Sequence, residues 1–269
     1  MKRMLIALLL TALPLLSSSD LRAQTDAGTL QMVDVAHDEP DYSPFVDRHV
    51  PDQVLWGDTH LHTSYSVDAG FFGNTLTPED AYRFARGEEV VSSTGQRIKL
   101  IRPLDWLVVA DHAEYFGLAD MLAKGDSAVL EDPVTERWYQ MRQGTQDEGM
   151  KAFYEVVDSI TKGDNLVENP AVQRSAWDTT VGYAEQYNNP GVFTSLMGFE
   201  WTSSPNGNTL HRVVMFRDGA ARASQIVPFS TVDSENPEDL WEWLQAYEDG
   251  TGGRTMAFAH NGNWGTGMM

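Results

Sequence analysis

His60 and His62 are the first residues along the chain whose types and spacing could do chemistry together. They lie in Trp56-Gly57-Asp58-Thr59-His60-Leu61-His62-Thr63-Ser64-Tyr65-Ser66-Val67-Asp68. Side chains alternate along a strand, so two imidazoles one residue apart at a strand's end face the same way and can hold one metal ion. Asp68 follows a Ser/Tyr-rich turn and could return a carboxylate to the same place. A His-x-His pair also occurs as two polar strand-end residues in solvent, so the remainder of the chain has to decide between the readings.

Further histidines and acids repeat the placement. Asp111-His112 closes the apolar run 104–110, and Glu200 lies near the end of the run 191–202. His211 opens the run 213–216, and His260 closes 255–259 and begins His260-Asn261-Gly262-Asn263. Five of the seven histidines therefore fall at strand ends, with Asp68, Asp111 and Glu200 as the accompanying acids. His37 and His49 sit in an irregular segment and are assigned nothing. If the strands are parallel neighbours, their like ends converge, and that joint placement favours a metal site over scattered structural histidines.

The elements that must position these residues follow from local signals. Gln53-Val54-Leu55-Trp56 reads as a short buried strand leading into the His-x-His pair. Thr77-Pro78-Glu79-Asp80 starts a helix that runs to about Arg86: a capping hydroxyl, proline at the first helical position, acids in the first turn. The run 104–110 is apolar almost without interruption, as in a parallel strand covered on both faces. Residues 114–190 read as helical throughout, with starts at Asp132-Pro133 and Asn169-Pro170. Phe153, Val156, Val157 and Ile160 form an amphipathic stripe there. This segment is expected to be a helical insertion that walls or roofs a pocket, its aromatics serving as core. Pro205-Asn206-Gly207-Asn208 signals a turn, and Asn236-Pro237 starts a helix with Leu240, Trp241 and Leu244 on one face.

The chain's 269 residues suffice for one large α/β domain. Residues 1–23 read as a secretory signal peptide: Lys2 and Arg3, an apolar stretch from Met4 to Leu16, and a cleavage site at Leu21-Arg22-Ala23. That stretch is too short for a membrane span, so no stable anchor is expected after cleavage. Residues 24–52, polar, acidic and proline-bearing, read as an extended leader, and 53–269 as the catalytic domain. The expected destination is a bacterial periplasm or the exterior. With no cysteine there is no disulfide, lipid attachment or thiolate ligand. A net charge of −20 disfavours nucleic acid as a partner but not a small anionic substrate, because a metal cluster can dominate the local field.

Taken in order, His60-x-His62 with Asp68, Asp111-His112, Glu200, His211 and His260-Asn-Gly-Asn resemble the polymerase and histidinol phosphatase (PHP) superfamily, over about residues 50–269. The likeness is closer to an exported bacterial branch of it catalogued only as a domain of unknown function. The resemblance implies a distorted (β/α)7 barrel with two or three divalent ions, Zn, Mn or Fe, at the C-terminal ends of its strands. It implies that His60, His62 and Glu200 hold one ion, that Glu200 bridges to a second held with His211 and His260, and that Asp68 and His112 hold a third. Asp58 and Asp111 would orient the imidazoles from behind or make ordinary strand-end hydrogen bonds. Asn261, Asn263 and Trp264 would either touch substrate or form a turn with a packing tryptophan. The superfamily also has an Asp-x-His pair that does not follow His260 here, so the chain is expected to be an N-terminal fragment with an incomplete barrel. Only ten residues separate Glu200 from His211, too few for a crossover helix, so a hairpin is needed to bring His211 to the same rim.

Clustered divalent ions lower the pKa of a bridging water and supply hydroxide near neutral pH while binding a phosphoryl oxygen. The expected function is thus an exported metal-dependent hydrolase, a phosphoesterase acting on a small phosphate mono- or diester. The competing readings are amidohydrolase-like cleavage of a C–N or ester bond and a non-catalytic metal-binding periplasmic module.

Overall fold

Strand β1 is Gly57–Leu61, and the chain returns to the same sheet four more times after it. Strands β2 (Val90–Val91) and β3 (Arg97–Ile98) pair only with each other, antiparallel. Strands β4 (Trp106–Val109), β5 (Thr194–Ser203), β6 (Leu210–Phe216) and β7 (Thr255–Ala259) join β1 in a five-stranded sheet of order β1-β4-β5-β6-β7. The structure, a computed structural model, describes residues 53–262 and Gly265. The segments read as signal peptide and leader lie outside the described residues, as do His37, His49, Asn263 and Trp264.

β1, β4 and β5 are parallel, whereas β6 is antiparallel to both of its neighbours. The expectation of uniformly parallel strands is corrected at that one strand. The short link through the 3₁₀ turn Pro205–Gly207 leaves room only for a hairpin, so β6 must run backwards. Its first residues consequently lie beside the last residues of β5 and β7. β1 and β7 are the two edges, so the described residues form an open mixed α/β sheet and not a closed barrel.

Nine helices accompany the sheet among the described residues: α1 (Val67–Phe71), α2 (Pro78–Ala85), α3 (Leu118–Lys124), α4 (Ser127–Leu130), α5 (Pro133–Gln143), α6 (Gln146–Lys162), α7 (Pro170–Tyr187), α8 (Ala220–Ala223) and α9 (Pro237–Thr251). Their starts are where capping chemistry put them. Thr77 closes a capping box with Asp80, and Asp132, Asn169 and Asn236 each accept a backbone N–H ahead of a proline.

Helices cover one face of the sheet. Tyr82 of α2, Trp177 and Val181 of α7 and Leu240 of α9 pack with Leu107, Val109, Phe199 and Val214 in the main core. The opposite face is built from strand residues alone: Val108, Ala110 and Val213 are buried there, with Trp106, Leu196, Met215 and Phe258 beside them. By period-two alternation, His112, Glu200, His211 and His260 continue this second face, which places the polar residues away from the helices. A separate core, including Val67, Leu122, Trp138, Val156 and Ile160, unites α3 to α6 with the start of α1.

Three expectations change. Residues 53–56 are not a buried strand: Val54, Leu55 and Trp56 are all more than half exposed, and they run into a strand with no neighbour beyond it among the described residues. Residues 114–190 divide between two cores: α3 to α6 and Val172 at the start of α7 lie in the separate one, and Ala176 to Tyr187 of α7 in the main one. Within α6, Val157 faces solvent and the buried residues are Ala152, Val156, Ser159 and Ile160.

Candidate metal centre

Glu200 is the centre of the site. It sits in β5, is wholly buried, and contacts five imidazoles from four other strand ends. His60 Nε2 and His62 Nε2 lie 2.8 and 2.9 Å from its Oε2. His260 Nε2 lies 3.2 Å and His112 Nδ1 3.8 Å from Oε1, which His211 Nδ1 also meets directly. The imidazoles make a closed circle around the carboxylate. Successive ring centroids are 4.8 Å apart from His60 to His62, 4.8 Å to His112, 5.3 Å to His211, 5.8 Å to His260 and 3.8 Å back to His60.

Asp68 joins from α1. Its carboxylate is 3.1 Å from His62 Nδ1 and 3.7 Å from His112 Nε2, and Ser66 Oγ donates to it at 2.6 Å. Three triplets could each hold a cation: His60, His62 and Glu200; His62, Asp68 and His112; and His112, Glu200 and His211. Within each, the donor atoms lie within 4.8 Å of one another. The first triplet is the set expected for one ion, and the second contains the expected Asp68–His112 pair with His62 added. In the third, His112 stands where His260 was expected, while His260 touches the same Glu200 oxygen from beside it.

Residues 49–269 match the family described as protein of unknown function, DUF3604. The chain belongs to the DUF3604 family. No curated protein and no solved structure matches it.

Asp58 and Asp111 of this DUF3604 chain take the second of the two roles open to them, hydrogen bonds beside the strand ends. Asp58 Oδ1 accepts the backbone N–H of His60 at 2.8 Å and makes no ion pair with an imidazole among the described residues. Asp111 accepts from the Thr63 hydroxyl at 2.6 Å and from the Thr63 backbone N–H. Each therefore fixes backbone beside the histidines instead of orienting a ring. For Asp111 the cause is strand parity: it directly precedes His112 and points to the helix-covered face, whereas Asp58 shares the parity of His60 and turns its carboxylate back to the His60 N–H. Asn261 Oδ1 accepts the N–H of His211 at 3.2 Å, tying the loop after β7 to the start of β6. It is a turn residue serving a neighbouring histidine, and Asn263 lies outside the described residues.

Two polar neighbours of His112 went unread in the sequence. Thr202 Oγ1 is hydrogen-bonded to His112 Nδ1 at 2.6 Å. Glu114 is 1% exposed, accepts the N–H groups of Thr202 at 3.2 Å and Thr231 at 3.0 Å, and has its other oxygen 3.8 Å from His112 Nδ1. Each stands two residues beyond a predicted ligand. Period-two alternation was the signal that could have found them.

Electrostatics separate these groups. Burial pushes the His112 imidazole down to about 4 against the pull of Glu200, so it is neutral at pH 7 with its ring lone pair available. Burial also opposes charge on His62, but the carboxylates of Asp68 and Glu200 outweigh it and raise that imidazole to about 10. For Asp68 and Glu200, burial works upward and loses to the surrounding imidazoles, which hold both carboxylates well below their ordinary range. Burial raises Asp111 to about 6 and Glu114 to about 8. The donor set fits a divalent cation: imidazole nitrogens and ionised carboxylate oxygens, with no Lys or Arg among the ion-pair partners of Glu200.

Proposed function

We propose that this DUF3604 chain is a metal-dependent hydrolase of the PHP type, a phosphoesterase acting on a small phosphate mono- or diester. The observation that carries the reading is Glu200: a fully buried carboxylate whose two oxygens are met by imidazoles from different strands. A buried carboxylate is costly without a cationic partner, and imidazoles packed this closely cannot all be protonated. Divalent cations shared between the rings and Glu200 resolve both problems. His, Asp and Glu ligation without thiolate suits Zn, Mn or Fe.

The finer fold belongs to the same proposal. A sheet with helices on one face and small residues plus ligands on the other has the character of a distorted (β/α)7 barrel wall seen from inside. Val108, Ala110 and Val213 are buried on that face, below the strand ends where the candidate ligands gather.

When bound, divalent ions in such a cluster supply a hydroxide nucleophile near neutral pH and neutralise charge on a phosphoryl group. The chain's own residues hold and orient. His60, His62 and Glu200 offer one set of donors, Asp68 and His112 a second, His211 and His260 the far side of Glu200. Thr202 fixes the His112 ring through Nδ1, and Ser66 fixes Asp68, so neither donor must reorganise on binding.

A chain of charge −20 disfavours nucleic acid, so the substrate is read as a small molecule. The signal-peptide character of residues 1–23 supports action outside the cytoplasm. No helix among the described residues is long and apolar enough to cross a membrane.

The test is metal analysis of the full-length protein with a panel of phosphate mono- and diesters, and His62→Ala as control. The expected result is bound metal and phosphate release, both lost in the variant while its circular dichroism is kept. Release of amine or carboxylate instead would support amidohydrolase-like cleavage, and tight metal binding without turnover a non-catalytic module. Full activity of His62→Ala would contradict the assignment.

A further inference from the structure

Solvent reaches the metal centre at His60 and Asp68. Their side chains are 39% and 38% exposed, whereas those of His62, His112, Glu200, His211 and His260 are 19% or less. A substrate therefore meets the centre past these residues, and the surface beside them sets what it can carry.

Asp68 lies on the short helix α1, which has two faces in use. Val67 and Phe71, four residues apart, turn into the separate core. Asp68 and Phe72 are the next such pair around the helix. The Phe72 N–H donates to Asp68 O at 3.0 Å, so one turn separates them. Their Cβ atoms then stand about 5–6 Å apart on a shared face. Helical side chains lean toward the N-terminus, which tips the Phe72 ring back over the turn that carries Asp68. The helix ends there: Gly73, with φ of 91°, turns the chain away and leaves Phe72 64% exposed.

Other rings extend this surface. The Phe72 centroid is 4.7 Å from that of Phe153 in α6, which is 6.0 Å from that of Tyr154 and 6.1 Å from that of Phe71. Tyr154 is 62% exposed, and Val157, one turn along α6, is also open to solvent. The row is held from beneath. Arg142 Nη2 donates to Gly70 O at 3.0 Å, and its guanidinium lies 4.6 Å from the Phe71 centroid. Both contacts fix the end of α1 from which Phe72 projects. A contiguous row of exposed, fixed rings beside a cluster of candidate ligands is a surface suited to a ligand. Three exposed side chains fall well short of the ~800 Å² that each partner buries in a stable protein interface, so a small molecule suits the ledge better than a protein.

The ledge consists of Phe72, Phe153 and Tyr154 with Val157 beside them. None of these side chains brings an amide, carboxylate or ammonium to hold a rim of hydroxyls. That favours a flat aromatic ring, which packs offset or edge-to-face on other rings, over a sugar. We propose that the ledge binds an uncharged aromatic ring carried by the alcohol part of the substrate, making the centre selective for phosphate esters of ring-bearing alcohols. A ring joined through one carbon to the ester oxygen spans the turn between Asp68 and Phe72. The catalytic half of this inference rests on the phosphoesterase reading; the binding half does not. Hydrolysis of such an ester breaks the bond between phosphorus and the alcohol oxygen and forms one between phosphorus and the oxygen of water. One proton of that water leaves with the alcohol.

The experiment pairs binding with turnover in the Mn-loaded full-length protein. Calorimetry gives the affinity for benzyl-, cyclohexylmethyl- and methylphosphonate, which have no ester bond to cleave, and phosphate release is followed from benzyl phosphate and methyl phosphate. Phe72→Ala and Tyr154→Ala remove exposed rings. Val192→Ala removes an exposed apolar side chain ahead of β5, at the other end of the sheet. Circular dichroism checks each fold. The wild type binds benzylphosphonate more tightly than either of the others. Phe72→Ala lowers the preference for benzyl over methyl about tenfold, in affinity and in kcat/KM alike. Tyr154→Ala lowers it in the same direction, and Val192→Ala does not. Equal binding of benzyl- and cyclohexylmethylphosphonate, no preference for benzyl over methyl, or a preference that Phe72→Ala leaves intact would overturn the inference, and phosphate release from methyl phosphate would still keep the phosphoesterase reading. Binding of benzylphosphonate that depends on Phe72, with no phosphate released from either ester, would sink the phosphoesterase reading and keep the ledge as an aromatic site.

Discussion

Glu114→Gln separates the ionisation of one buried carboxyl from its hydrogen bonds. Glu114 accepts two backbone N–H groups through Oε1, and Oε2 has no hydrogen-bond partner among the described residues. Burial is the main cause that raises the carboxyl from 4.5 to about 8, against the two N–H groups and with help from the Glu200 charge. The folded chain thus keeps a proton that the unfolded chain has lost between those values. The sign follows directly: this stability is full below pH 4.5 and is lost as pH rises through about 8. One pKa unit corresponds to about 1.36 kcal/mol, so the whole swing is roughly 5 kcal/mol as an upper figure. Glutamine keeps the acceptor and the shape but cannot ionise. Urea denaturation of chelator-treated protein from pH 5 to 9 should therefore show two chains of similar stability at pH 5. The variant becomes the more stable one, by up to that amount, at pH 9. Asp68 and Glu200, held ionised, contribute with the opposite sign below pH 4, but they are common to both chains and cancel in the difference. A difference that does not change with pH would mean that Glu114 is already ionised in the folded protein at pH 7, and the burial argument would fail.

Thr202→Val removes the oxygen that fixes His112 Nδ1, and metal affinity measured by competition with a chelator should fall about 10–100-fold while the fold is kept. Asp68→Asn should lower bound metal per chain in elemental analysis, whereas Asp58→Asn should leave it unchanged, because Asp58 touches only backbone. Gly70→Ala places a methyl group 2.6 Å from Ser64 O and 2.5 Å from Ala119 Cβ. It should cost about 1–3 kcal/mol in urea denaturation and displace Asp68, which shares its helix.

Helix starts were legible because capping is local: Thr77-Pro78, Asp132-Pro133, Asn169-Pro170 and Asn236-Pro237 each carry their signal within four residues. The run around Val108 was equally plain, since a strand buried on both faces is apolar throughout. The first strand was read too early because exposure depends on neighbours, and β1 has none beyond it among the described residues. The reversed β6 could be inferred only from the shortness of its link to β5. Which face α7 covers depends on contacts distant in sequence, so it was grouped with α3 to α6. The residues that gather around Glu200 were readable by type and by their position at strand ends. Of the two roles open to Asp111, alternation of side chains selects the backbone one, whereas for Asp58, which shares the parity of His60, only the local backbone geometry does. Glu114 and Thr202 obey that alternation and were passed over because their partner, His112, lies on another strand or at another step of the same one.

The most direct measurement is an anomalous difference map from crystals of the protein grown with Zn or Mn. The account predicts peaks bridging the two Glu200 oxygens, with one about 2.0–2.2 Å from Nε2 of His60 and His62 and from Glu200 Oε2. Density only at surface carboxylates, or a circle of imidazoles that stays metal-free at saturating cation, would contradict it.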